Sequence, residues 1–227
     1  MYGDILFVIV SYLIGALPHL YFLGRLRGLY LEGDLHMELW RRGGRLLGTI
    51  GFLGDLAKGI TIVLIGKSLD LDVAIIAFGG LAVVSGQMWP VFLRFNGEKG
   101  NSVAVAIAAT FTPQPFWIAF IPMAIGYLIR TVPRMLKSGQ SVNEKLKLGG
   151  PPSLSFPLGM FIGFLILPIT SWCLDEPTVV TVCYFIMFVL IVIRRVTADL
   201  GDDLGKGKDL KRVVINRILY DRSDIQT

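Results

Sequence analysis

Apolar residues in this chain fall into blocks of about 18 to 25 residues, the length a helix needs to cross a hydrocarbon core roughly 30 Å thick. No other feature narrows the fold as much. In hydrocarbon every backbone N–H and C=O must find its partner inside the protein, and for blocks of this length that means helices. The blocks lie at about 4–24, 46–66, 72–93, 102–129, 154–172 and 177–194. Composition agrees: mean hydropathy is +0.64, and 17% of residues are charged, against about 25% in a soluble domain. The first block is too long for a signal-peptide core. It has no basic residue ahead of it and no small-residue cleavage site behind it, so it reads as a retained span. The length fits one polytopic transmembrane domain, 1–194, followed by a polar, charged tail, 195–227.

Lys and Arg accumulate in loops that stay on the cytoplasmic side. Loop 25–45 holds Arg25, Arg27, Arg41, Arg42 and Arg45. Loop 94–101 holds Arg94 and Lys99, and loop 130–153 holds Arg130, Arg134, Lys137, Lys145 and Lys147. Further Lys and Arg residues occur from Arg194 onward, whereas turn 67–71 has only Lys67 and turn 173–177 has none. If 102–129 crossed once, loop 130–153 and the tail would both face outside, against the charge rule. A break is available at Thr112-Pro113-Gln114-Pro115, because proline cannot continue a helical ladder and restricts the residue before it. Residues 102–112 then form a short helix of about 16 Å, re-entrant or compensated by its neighbours. The expectation is an all-α integral membrane bundle of about seven hydrophobic helices, the fourth short or re-entrant. Its N-terminus lies outside and its C-terminus in the cytoplasm of a cell whose plasma membrane it crosses many times. The net charge of +5 is then a topology signal, and nucleic acid is not an expected partner.

One loop has chemistry in it. Phe95-Asn96-Gly97-Glu98-Lys99-Gly100-Asn101-Ser102 leads into the short helix. Gly97 and Gly100 permit positive φ, the helix start offers unpaired N–H groups, and Lys99 adds a point charge suited to phosphate. Two readings fit: an anion site, or a plain turn with a solvated Lys99 and Ser102 as helix cap. The full P-loop pattern is absent, so nucleotide binding is unsupported. Asp55 and Lys58 share a helix face inside the second span, either as a neutralising structural pair or as functional groups facing a cavity. Gln87 and Trp89 close the third span. His19 and His36 lie apart, no metal-ligand spacing is present, and neither metal nor cofactor is expected. Cys173 and Cys183 read as apolar thiols. The tail stretch Leu210–Tyr220 alternates basic and apolar residues at helical spacing, as a helix on an anionic membrane surface or as a packed terminal helix.

These residues resemble the bacterial family that transfers an acyl group from acyl phosphate to glycerol 3-phosphate, over roughly residues 5–135. Ser85-Gly86-Gln87-Met88-Trp89-Pro90-Val91-Phe92-Leu93-Arg94-Phe95-Asn96-Gly97-Glu98-Lys99-Gly100 is similar to its Gly-His-x-x-Pro-Val-Phe-x-x-Phe-x-Gly-Gly-Lys-Gly signature. Asp55-Leu56-Ala57-Lys58-Gly59 resembles its Asp-x-x-Lys-Gly element, and the first span through Arg25 its opening helix. There are departures. The family's glycine- and asparagine-rich phosphate loop after the first helix is replaced by the acidic stretch Glu32-Gly33-Asp34-Leu35-His36-Met37-Glu38. Gln87 replaces a His, Glu98 a Gly, and Arg195 to Leu200 the family's His-Arg-Glu-Asn-Ile stretch.

The resemblance implies a seven-helix bundle and an acyltransferase of phospholipid synthesis that makes lysophosphatidic acid. Its partners would be acyl phosphate, glycerol 3-phosphate or another small cytosolic acceptor, and membrane lipids. Lys99 would be the catalytic residue. Gly97, Lys99, Gly100, Asn101, Ser102 and Arg45 would hold phosphate, with Asp55, Lys58 and Gln87 in support. Positioning and charge stabilisation would supply the rate. The rival is a non-catalytic lipid-binding or scaffold relative that kept the bundle and lost the acceptor site. A transporter is a third reading, without an inverted repeat to support it.

Overall fold

The structure, a computed structural model, describes residues 2–31, 33–136, 153–198, 200–205 and 208–223. Glu32 of the acidic stretch, Lys137, Lys145 and Lys147 of the basic loop, and Asp199 lie outside the described residues. The first apolar block is two helices, α1 (Tyr2–Ala16) and α2 (His19–Arg25), parted at Pro18. Then come α3 (Leu35–Gly43), α4 (Arg45–Ser68) and α5 (Val73–Met88), the last leading into a 3-10 turn, Val91–Leu93. The remainder is α6 (Asn101–Phe111), α7 (Pro113–Leu136), α8 (Ser155–Cys173), α9 (Thr178–Thr197), α10 (Leu200–Gly205) and α11 (Leu210–Tyr220). Among the described residues six segments are long and apolar enough to cross a membrane, and α6 is a seventh, shorter apolar helix.

The stretch 102–129 does double back. Thr112 leaves helical geometry (φ −133°, ψ 79°), as expected ahead of a proline, and its hydroxyl bonds the buried Tyr184 OH of α9. α6 therefore runs beside only the distal half of α4. A Cβ on Gly59 would meet Val103 and Ala106, and at the far end Lys67 Nζ donates to Thr110 O. The start of α6 is left beside the middle of α4, and irregular backbone so placed in a membrane bundle is tolerated only if protein or a watery cavity covers it.

Small residues let the helices approach closely, the usual means of association where lipid removes the hydrophobic drive between helices. A Cβ on Gly15 would sit 2.1 Å from Val83 O, and one on Gly86 2.1 Å from Tyr12 O, which locks α1 to α5. Gly126 and Gly159 do the same for α7 and α8. The main core runs through α4, α5, α6, α7, α8 and α9, from Ile62 and Val83 to Phe164 and Met187. A second cluster, Leu20, Leu31, Leu35, Leu39 and Leu47, seats the amphipathic α3 on α2 and α4. The loops before α3, before α6 and before α8 gather at one end with the chain after 197: Lys99 reaches Asp221, Arg194 reaches Asn96, and Arg222 reaches Ser153.

Candidate functional site

At that end a cavity of about 1210 Å³ opens between α3, α4, α7 and α8. One part is apolar, walled by Phe52, Leu56, Phe120, Met123, Leu128, Phe156 and Met160. The other is charged: Asp34, His36, Asp55, Glu98 and Asp221 face it, and so do Lys99, Arg130, Arg195 and Arg222. An apolar slot ending in mixed charges suits an amphiphile with a polar, anionic head.

The loop 94–100 is shaped by close contact with α5. Glu98 N donates 3.0 Å to Gln87 O and Gly97 N donates 3.2 Å to Met88 O, so the loop satisfies two carbonyls at the end of α5. A Cβ on Gly97 would lie 2.1 Å from Gln87 O, so this position needs glycine for space and not for positive φ. Gly97's N–H is thus already committed, and Gly97 does not line the cavity. Gly100 is different: its φ of 72° makes it the cap of α6. Ser102 is consequently one turn position inside the helix and does not cap it. Gly100, Asn101 and Ser102 all line the cavity, at a helix start whose first N–H groups have no intrahelical partner. Lys99 stands beside them, its Nζ 2.9 Å from Asp221 Oδ2.

Glu98 lines the cavity and is part-exposed to it. Enclosure by the surrounding protein pushes its carboxyl up to about 7. Asp34 and Asp55 push the same way, and His36 and Lys99 oppose them.

Asp55 and Lys58 do not form a simple pair. Lys58 Nζ is 3.9 Å from Asp55 Oδ1, but it donates at 3.0 and 2.9 Å to Gly15 O and Leu17 O. Those carbonyls end α1, where Pro18 brings no N–H to continue the ladder, and an ammonium there also favours the helix dipole. Asp55 is fully buried and turned to histidines instead. His36 Nε2 is 2.8 Å from its Oδ2, and His19 Nε2 is 3.5 Å from its Oδ1. A carboxylate only accepts, so His36 Nε2–H donates and Nδ1 carries the lone pair. Nδ1 has no hydrogen-bond partner among the described residues. Burial alone would lower the pKa of His36, yet the Asp55 bond and charge, with Glu98 and Asp34, hold it above the ordinary imidazole value. Spacing along the chain assigned neither histidine to a site.

Gln87 is 5% exposed, lines the cavity, and leaves Oε1 without a partner among the described residues. Arg45 is exposed at the first turn of α4 and does not line the cavity. Arg130 and Arg195, from α7 and α9, are buried and do. No three His, Cys, Asp or Glu side chains converge as a metal site among the described residues.

Together these features define a polytopic membrane protein with an apolar slot leading to a charged, lysine-bearing helix start at one end of the bundle. The sequence model described as glycerol-3-phosphate acyltransferase matches residues 5–200. Glycerol-3-phosphate acyltransferase 4 of Dehalococcoides mccartyi (strain CBDB1) is 29% identical over 219 residues, 93% of this chain and 86% of that one. Glycerol-3-phosphate acyltransferase 5 of Dehalococcoides mccartyi (strain ATCC BAA-2266 / KCTC 15142 / 195) is 28% identical over 225 residues, 96% and 88% of the two chains. The crystal structure of PlsY (YgiH), an integral membrane glycerol 3-phosphate acyltransferase, in its glycerol 3-phosphate form, shares the fold. Its TM-score is 0.68 at 22% identity, over 91% of this chain and 94% of that one. The chain belongs to the glycerol-3-phosphate acyltransferase family. It is a multi-span membrane acyltransferase, an enzyme of phospholipid biosynthesis.

Proposed function

We propose that this enzyme moves an acyl group from an acyl phosphate to the hydroxyl of glycerol 3-phosphate, at the charged end of the cavity, on the cytoplasmic face of the cell membrane. The observation that carries this is the juxtaposition of the Lys99–Ser102 helix start with an apolar slot in one 1210 Å³ cavity. The acyl chain lies between α7 and α8 among Phe120, Met123, Phe156 and Met160. The acyl phosphate's phosphate meets Lys99 and the first N–H groups of α6, with Arg130 and Arg195 adding positive charge. Phosphate is a competent leaving group, so attack by the acceptor hydroxyl on the carbonyl carbon needs no protein nucleophile. The C–O bond to phosphate breaks, inorganic phosphate leaves, and the acceptor's proton passes to His36 Nδ1. Asp55 holds that ring and stabilises the imidazolium. Charge stabilisation at Lys99 supplies a large share of the rate.

The test is acyl transfer by purified protein in detergent, with palmitoyl phosphate and glycerol 3-phosphate, reading both released phosphate and lysophosphatidic acid. Lys99→Ala is expected to lower kcat/KM by about 10²–10³, the cost of losing one preorganised charge-stabilising group. Full activity in that variant would overturn the role of Lys99, and no product from the unaltered protein with any acceptor would return the scaffold reading. A second reading has its own observation: Asp34 and Glu98 face the cavity beside His36, where a second phosphate would be repelled. Product with an uncharged polyol and none with glycerol 3-phosphate would assign an acceptor without phosphate.

A further inference from the structure

Past residue 200 the chain leaves the region that the family's sequence model matches, and its C-terminal segment folds back onto the site. α11 packs on α8 and α9, with Val213 buried in the contact. Two buried cations fasten it. Arg217 pairs with Asp203, and Arg195 Nη1 donates 3.1 Å to Ile218 O near the end of α11. The chain then turns at Asp221, whose φ of 59° is left-handed. Three ties fix this turn: Asn216 Nδ2 to Ser223 O at 3.1 Å, Lys208 Nζ to Ser223 Oγ at 2.9 Å, and Arg222 Nη2 to Ser153 O at 3.0 Å. The carboxylate so placed is the one 2.9 Å from Lys99.

We propose that Asp221 is a positioning residue for Lys99, and that the C-terminal segment 208–223 is a wall of the active site. This rests on the acyl-phosphate reading of the Lys99 loop. An ammonium has three donors on a flexible four-carbon stem. Asp221 takes one and removes the stem's rotamer freedom, which leaves two donors aimed at the cavity for phosphate oxygens. A carboxylate that only blocked Lys99 would have to leave when phosphate arrives. The ties from α11, from Lys208 and from the start of α8 hold Asp221 in place instead. Arg222, next in the chain and on the same cavity wall, offsets the carboxylate's charge toward an incoming anion.

The experiment is a double-mutant cycle on Lys99→Ala and Asp221→Asn, with Asp221→Glu as the conservative variant, reading kcat and KM for palmitoyl phosphate and the melting temperature of each protein. Asn tolerates the left-handed backbone of position 221. Expected is a fall of about ten- to a hundredfold in kcat/KM for Asp221→Asn, partial recovery in Asp221→Glu, and no further loss when Asp221→Asn is added to Lys99→Ala. Because the cycle compares ratios, a stability cost common to both backgrounds cancels. A lower KM in Asp221→Asn would make the carboxylate a block, and an equal loss with and without Lys99 would make it structural; either overturns the proposal. If the unaltered protein forms no product, the acyl-phosphate reading fails and Asp221 is read separately. Inorganic phosphate would then protect Lys99 from labelling by an amine-reactive acetyl ester, detected by peptide mass spectrometry. Asp221→Asn is expected to raise the half-protecting phosphate concentration at least fivefold; an unchanged concentration overturns the proposal.

Discussion

Glu98→Gln should make the protein more stable, by an amount that grows from about pH 4.5 and is full above about pH 7. The Glu98 carboxyl ionises at about 7 in the folded protein, against an ordinary value of 4.5, chiefly because the surrounding protein takes the charge away from water. Between those values the folded state keeps a proton that the unfolded chain has released. Raising the pH therefore costs the folded state, and the cost is complete above about 7. At about 1.4 kcal/mol per pKa unit the gap corresponds to roughly 3 kcal/mol. Water in the cavity screens part of it, so we expect about 1–3 kcal/mol. Gln fills the same space and never ionises. For a chain of this size 1 kcal/mol moves the melting temperature by about 2–4 °C. The assay is thermal unfolding in detergent at pH 5 and pH 8. The two proteins should melt within about a degree of each other at pH 5, and the variant several degrees higher at pH 8. His36, which faces Glu98, titrates in both proteins and drops out of the comparison to first order. Equal melting temperatures at pH 8, or a lower one for Glu98→Gln, would refute the claim that the Glu98 charge is held at a cost.

The same geometry sets three further outcomes. His36→Gln should lower kcat by about 10²–10⁴, the usual worth of a general base. It should also flatten the acidic limb of the pH–rate profile. The ring must be neutral to accept a proton, its pKa is raised, and Asp34, Asp55 and Glu98 face it while His19 and Lys58 stand behind Asp55. An unchanged profile would remove His36 from the chemistry. Gly97→Ala should cost more than a hundredfold in activity, because its methyl would meet Gln87 O and force the Lys99 loop off α5; wild-type kcat/KM in that variant would contradict the loop geometry. Lys58→Met leaves Gly15 O without its ammonium, while Leu17 O keeps the His19 N–H, and should cost about 1–3 kcal/mol for the one unsatisfied carbonyl. The melting temperature in detergent reads it, and an unchanged value would show that Lys58 does not cap α1.

What was legible in the sequence was whatever rests on local rules. Apolar block length marked the spans, and the Lys and Arg count demanded a reversal inside 102–129. Thr112-Pro113 supplied it, since proline excludes helical geometry from the residue ahead of it. The Lys99 loop was legible for the same reason, as glycines next to a helix start. Its detail was not. Gly97 and Gly100 look alike in sequence, yet one answers to the packing of a loop on α5 and the other to a left-handed backbone. Lys58 looked like a partner for Asp55 because they are three residues apart. Its donors go to carbonyls more than 40 residues away, exposed by a proline in another helix.

His36 shows where a usable signal went unread. Leu35, Leu39 and Gly43 recur at helical spacing, the pattern of a short helix with one face on its neighbour. His36 lies at the edge of that face, so it should point at the next span along the chain. The one buried acid of that span, Asp55, is the natural partner for a histidine on that face. Asp221 carries no comparable signal. It lies 122 residues after Lys99, in a stretch whose mixed basic and apolar pattern fits a membrane-surface helix as well as a packed one. The packed arrangement comes from pairings between remote residues: Arg217 with Asp203, Arg195 with Ile218, Arg222 with Ser153. Each uses a cation that a charge count assigns to topology. In this chain the positive residues that a charge count reads for topology also fasten the C-terminal segment to the bundle.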